Sequence, residues 1–339
     1  MHPKRIDSFE VSGMDKKQSI VLSAGAVGML ILILEARTAA AGIRDGIEIC
    51  LYTLIPALFP FMILSGILTN AVNGHALSWM EPICRICRIP KGSQSLLLIG
   101  LLGGYPTGAQ NVEVYRLSGR LTEKEAQRMQ IFCNNAGPAF LFGMLGSMFD
   151  NNNLLWLLWL IQIASAILTG ILLPGGSSQS ISSPKSSSLS ITQIMNNSTR
   201  SMGIVCGWVV LFRMILLFLQ RWLLWLLPVP IQVLLTGIIE VSNGCIMLGS
   251  IEQEIQRFLL VSVLLPFGGL CVTMQTASIC GKWKFSVYLQ GKILQSTISF
   301  LLAIMLILTK EGYPIIILLV MLLFLISFNR IRAKKEVAI

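Results

Sequence analysis

Long apolar runs separated by short polar segments organise this chain. Windows of about 20 apolar residues occur at about 18–36, 46–70, 127–148, 154–174, 202–227, 256–278, 288–309 and 313–329. A helix of that length spans a hydrocarbon core roughly 30 Å thick. The pattern therefore predicts an all-α polytopic membrane protein with about eight transmembrane helices. Two further apolar pieces, at about 94–110 and 231–249, are too short and too interrupted to cross. They are expected to be re-entrant hairpins.

The interruptions carry most of the information. The first piece contains Gly103-Gly104-Tyr105-Pro106-Thr107-Gly108-Ala109, and the second contains Gly237-Ile238-Ile239-Glu240-Val241-Ser242-Asn243-Gly244. Each precedes a helix with its own break, at Cys133-Asn134-Asn135-Ala136-Gly137-Pro138 and at Pro266-Phe267-Gly268-Gly269. Backbone groups without partners are costly in lipid, so broken helices persist only against protein or a wet cavity. Corresponding breaks in two halves of a membrane chain point to a transporter-type site near the bilayer midplane.

The order of parts recurs. A long span, a broken hairpin, a broken helix and a further span occur over 44–174 and again over 200–309. Three crossings separate equivalent points, so the second copy is expected to sit upside down: an inverted repeat. Around these lie a cytosolic amino-terminal tail (1–17), an anchor helix (18–36), a Ser-rich cytosolic linker (175–199), and a final helix with a basic tail (313–339). Lys16 and Lys17 before the first apolar run, and Ala39-Ala40-Ala41 after it, resemble a signal peptide. Glu35 and Arg37 before that alanine cluster favour an uncleaved anchor instead.

Composition agrees. The 339 residues are 54% hydrophobic and 12% charged, about half the charged fraction of a soluble domain. The net charge of +10 is dispersed between the apolar runs, without the continuous basic face that nucleic acid requires. Placing both termini in the cytosol puts roughly 20 of the 26 basic residues inside, among them Arg128 and Lys292, and 4 outside. That is the positive-inside bias of a multi-pass membrane protein. Arg213 and Arg221 fall within a span. The eight cysteines form no disulfide pattern; Cys84 and Cys87 make a CxxC, but no second ligand pair accompanies them and His75 stands alone. The segment Trp79 to Ile89 is expected to lie along the inner surface. With two histidines, and no phosphate loop or metal-ligand spacing, no catalytic constellation or cofactor is expected.

The candidate ligand residues are those at the breaks. Gly103, Gly104, Tyr105, Pro106, Thr107 and Gly108 offer a tight turn with free N–H groups and two hydroxyls. Asn134 and Asn135 supply amides ahead of Pro138, whose ring frees a carbonyl; the alternative is that they only tie helices together. Glu240 is an acid at membrane depth, with Ser242, Asn243 and Gly244 beside it; the alternative is an interfacial helix cap. Gly268 and Gly269 allow close backbone approach, and Gln275, with Thr276 and Ser278, faces the same choice as the asparagines. Arg213 is expected to pair with Glu240 or to share its cavity, while Arg221, beside Trp222 and Trp225, is expected to snorkel outward.

Taken in order, several motifs resemble those of the bacterial Gate-domain (nucleoside-recognition) membrane proteins, and most nearly the sporulation integral membrane proteins of the YlbJ type. They are Leu54-Ile55-Pro56-Ala57-Leu58-Phe59-Pro60-Phe61, Gly104 to Ala109, Glu123 and Ala126 leading to Phe132–Pro138, Gly237 to Gly244, and Phe267–Leu270 to Gln275. The resemblance covers about 44–309. It implies a fold similar to concentrative nucleoside transporters, with two re-entrant hairpins in inverted repeats. It also implies the bacterial cytoplasmic membrane and a link to spore formation. The partners then expected are the lipid bilayer, a small polar solute such as a nucleoside and a coupling ion (Na+ or H+); a homo-oligomer is allowed and nucleic acid is not. The competing expectation is a non-transporting membrane component needed for spore envelope or cortex assembly.

Overall fold

The computed structural model describes residues 16–72, 77–175, 189–281 and 283–308, and all regular structure in them is helical. Helix α1 (Lys16–Leu34) meets α2 (Ala36–Ile49) at Glu35, and α2 continues through a π turn (Cys50–Leu54) into α3 (Ile55–Val72). The short α4 (Glu81–Ile86) leads to α5 (Gln94–Leu102) and α6 (Thr107–Leu117). Next come α7 (Glu123–Cys133), α8 (Pro138–Leu145) and α9 (Asn152–Leu172). The second half contains α10 (Ile191–Trp222), α11 (Val229–Ile239), α12 (Val241–Met247), α13 (Glu254–Phe267), α14 (Gly269–Ile279) and α15 (Phe285–Leu308).

Among the described residues five stretches are long and apolar enough to cross a membrane: Ala36–Val72, Asn152–Leu172, Ile191–Trp222, Glu254–Ile279 and Phe285–Leu308. Side chains such as Leu51, Leu64, Trp156, Leu211 and Leu301 are exposed on them, as lipid-facing residues should be. The chain is a multi-pass helical membrane protein. Of the other expected spans, Gln18–Leu34 is a shorter apolar helix, 127–148 is divided between α7 and α8, and 313–329 lies outside the described residues. So do His75 and most of the Ser-rich segment.

Two boundaries need correction. The expected outer loop at 37–45 is helical, because its alanine-rich run favours helix and gives α2 a small-residue face. A Cβ on Gly42 would lie 2.7 Å from the Met214 backbone, and one on Gly46 would lie 2.8 Å from that of Val210. Farther along, the Cys50 thiol donates to the Cys206 carbonyl at 3.8 Å, and Gly66 meets Ile194. Rising numbers on one helix meet falling numbers on the other, so Ala36–Val72 and α10 run antiparallel through small-residue contacts. The second correction concerns the linker, whose last part belongs to α10. Ser190 accepts from Gln193 N at 3.2 Å while Gln193 Oε1 accepts from Ser190 N at 2.8 Å, a capping box that starts the helix well before the apolar run.

The π turn has a local cause. Pro56 lacks the N–H that would bond four residues back, so the ladder slips by one residue just ahead of it. Elsewhere Thr122 and Glu125 form the capping box of α7. Arg128, expected on the inner surface, is buried instead. Its guanidinium donates to the carbonyls of Cys87 at 2.6 Å and of Gly170, closing the ends of α4 and α9, and stacks 5.2 Å over Phe132. Along 78–89 the expected amphipathic alternation is present: Trp79 and Arg85 are exposed, whereas Met80, Cys84, Cys87 and Ile89 are buried. Burial pushes the Cys84 and Cys87 thiols up to about 12.

Candidate functional site

The two interrupted stretches are not through-going rods. Helices α5 and α6 are separated by Gly103–Pro106, and α11 and α12 by Glu240 alone. In each half the hairpin turn lies against the helix break. Gly104, with φ +74°, needs a glycine, and a Cβ there would stand 2.8 Å from Gly137 N. Gly100 and Gly108 both pack against the Cys133 carbonyl so closely that any Cβ would overlap it. In the second half Gly269 (φ +79°) would place a Cβ 3.0 Å from Gly237 O and 3.2 Å from Val241 N, while Gly244 and Gly237 touch backbone to backbone. Glycines are thus present where, in each half, a turn and a helix break pack against one another.

Glu240 is 1% exposed and serves as the N-cap of α12. Its carboxylate accepts from Ser242 N at 3.0 Å, Asn243 N at 2.7 Å and Asn243 Nδ2 at 2.5 Å. Arg213 does not reach it. The guanidinium pairs with Asp45 at 2.9 Å across the α2–α10 interface, a pairing that exists only because 37–45 is helical and not a loop. Glu240 is therefore a cap, as the bland alternative held, but a buried one. Arg221 is mostly exposed, as expected, and lies 3.8 Å from Glu35.

At the first break Pro138 begins α8 rather than kinking a continuous helix. Three of the carbonyls at this break are occupied. Asn135 Nδ2 donates to Phe132 O at 2.7 Å, Gln162 Nε2 to Ala136 O at 3.0 Å, and Lys292 Nζ to Asn134 O at 2.6 Å. Asn135 Oδ1 accepts from Gln295 Nε2 at 2.7 Å, so both ends of that amide are used and it ties helices together. Asn134 Nδ2 crosses to the second half, donating to Thr276 Oγ1 and Tyr288 OH at 3.0 Å each. Gln275 is buried and donates to Cys271 Sγ at 3.3 Å.

Among the buried polar atoms without a hydrogen-bond partner, those at the turns and breaks are Tyr105 OH, Thr107 Oγ1, Asn134 Oδ1, Gln162 Oε1 and, in the second half, Thr236 Oγ1. Tyr105, Thr107 and Asn134 share one neighbourhood, since Gly108 abuts the Asn134 backbone. The Tyr105 ring packs 5.8 Å from Phe140 at 57° and lies within electrostatic range of Glu240 and Tyr288. Orphaned buried groups are rare in folded proteins and call for a partner.

Two cavities approach these turns from opposite ends of the α2/α3–α10 pair. One, of about 340 Å³, is lined by Asn70 of α3, Asn197 and Ser201 of α10, and Thr107, Gln110 and Asn111 of α6. The other, of about 330 Å³, is lined by Asp45 and Glu48 of α2, Arg213 and Gln220 of α10, and Asn243 of α12. Sixteen residues of α10 separate Asn197 from Arg213, about 24 Å at 1.5 Å per residue.

Sequence reasoning missed Gln162, Tyr288, Gln295 and above all Lys292, which was counted with the inner basic residues and is 1% exposed within α15. The signal was available: Lys292 and Gln295, three apart on one helical face, are polar residues inside an apolar run.

No family pattern matches the chain, and no solved structure matches it. It is similar to the sporulation integral membrane protein YlbJ of Bacillus subtilis (strain 168), at 23% identity over an alignment of 303 residues that covers 74% of this chain and 73% of the relative.

Proposed function

We propose that this protein is a transporter-like membrane protein that binds a small, uncharged polar solute such as a nucleoside where the hairpin turns meet the helix breaks. The observation that carries the reading is the set of unpartnered buried groups at that junction: two hydroxyls and an amide oxygen around the first hairpin turn, all neutral. The carboxylates nearby are already engaged, Glu240 by three donors and Glu113, which lines the same cavity as Thr107, by Arg116. A neutral solute therefore fits better than a cationic one. The repeated order of helices and the antiparallel course of Ala36–Val72 against α10 support two inverted repeats, each with a re-entrant hairpin. A cavity toward each hairpin from opposite ends suits alternating access. With both termini cytosolic, the Asn197 cavity opens inward and the Glu48 cavity outward. The name of the relative adds a link to spore formation.

The name of that relative mentions sporulation and not transport, which favours a second reading: a membrane component of spore envelope assembly that binds no solute. Thermal unfolding of the purified protein with a panel of nucleosides and other neutral polar metabolites separates the two. Solute binding predicts stabilisation by at least one compound, lost in Thr107→Val, which exchanges the unpartnered hydroxyl for a methyl group of similar size. No shift across the panel, with sporulation still supported by Thr107→Val in cells, sinks the solute reading.

A further inference from the structure

The buried residue that this function leaves unused is Lys292. Its ammonium has three donors, and two are directed at oxygens: Asn134 O at 2.6 Å and Gln295 Oε1 at 3.0 Å. The Tyr288 ring centre lies 5.9 Å away. Among the described residues no carboxylate pairs with it. A cation at membrane depth without a counter-ion must be held by dipoles, and Asn134 supplies the right one. It is the C-cap of α7, with φ −116° and ψ 90°, so its carbonyl leaves the helical ladder at the negative end of the helix dipole.

Freed carbonyls at the C-terminal end of a half-helix are also what coordinates a coupling sodium ion in broken-helix transporters. Sodium, weighed from the sequence as a coupling ion, does not fit here. Phe132 O and Ala136 O are bound by side-chain amides, Asn135 Oδ1 by Gln295, and Asn134 O by the ammonium itself. A second cation would find these three backbone carbonyls already taken and the ammonium's own charge beside it, with only the side-chain oxygens of Asn134 and Gln162 left unpartnered.

We propose that Lys292 is a resident cation: its ammonium occupies the position at the first helix break that a dissolved ion would otherwise take, and this protein works without sodium. The inference rests on the transporter-like reading for its significance, but its test needs no solute.

The test is thermal unfolding of the full-length protein in sodium chloride against choline chloride at equal ionic strength, for the wild type, Lys292→Ala and Lys292→Gln. The wild type should melt at the same temperature in both salts. Lys292→Ala, with the oxygens exposed and the charge removed, should melt lower in choline and recover part of the loss in sodium. Lys292→Gln removes the charge while keeping a polar side chain, and gives the same reading if the alanine variant does not fold. A wild type stabilised by sodium overturns the inference, and so do folded variants that ignore it. Solute binding that requires sodium would also overturn it while leaving the transporter reading intact; absence of any solute would sink that reading without touching the salt result.

Discussion

Glu240 and Arg213 are formally opposite charges in one half of a membrane protein, yet each has its own partner. Glu240 turns its charge onto the first N–H groups of α12, where the positive end of the helix lies. Arg213 pairs with Asp45, with side chains 18% and 40% exposed, and partly exposed pairs of this kind contribute about 1 kcal/mol or less. Two outcomes follow. Glu240→Gln exchanges an acceptor for an NH2 group facing other donors and should destabilise by about 2 kcal/mol, the usual range for a hydrogen bond to a charged group. Combined with Arg213→Leu the losses should add, whereas Arg213→Leu with Asp45→Asn should be less than additive. Thermal unfolding of the single and double variants measures both, and strong coupling between positions 213 and 240 would contradict the geometry.

At the scale of elements, the convergence of hairpins and breaks depends on missing side chains more than on attractive ones. Gly108→Ala forces a methyl into the Cys133 carbonyl, so backbone must shift, at a cost on the order of 2 kcal/mol for overpacking. Gly207→Ala in α10 meets nothing within 4 Å and should cost nothing by comparison. Comparing the two melting temperatures separates a packing requirement from a general intolerance of alanine. Equal behaviour of the two variants would mean that the α6–α7 contact is looser than drawn.

For the whole molecule the consequential feature is the antiparallel pairing of Ala36–Val72 with α10 and the two cavities at its ends. Asn197 and Glu48 are exposed positions lining different cavities. With Cys206 replaced, the remaining native cysteines are buried and cysteines placed at these two positions dominate the labelling. In intact cells Glu48→Cys should react with a membrane-impermeant maleimide, and Asn197→Cys only after permeabilisation. Labelling of both from one side would end the two-sided arrangement.

The membrane class, the helical content and the breaks at 103–106, 134–137, 240 and 268 were legible in the sequence, because hydrocarbon length and the need to satisfy backbone groups leave few alternatives. The π turn at Cys50–Leu54 and the junction at Glu35 were not. The glycines at 104 and 269 were legible for a related reason: positive φ admits little else. Partners were not. That Asp45 rather than Glu240 meets Arg213, that Asn135 is occupied by Gln295 while Asn134 keeps an oxygen free, and that Lys292 lies inside the protein all depend on which helix faces which. Hydropathy assigns a residue to a depth; only the packing of α7 against α9 and α15 assigns it a neighbour, since residues distant in sequence meet by geometry that no local pattern encodes.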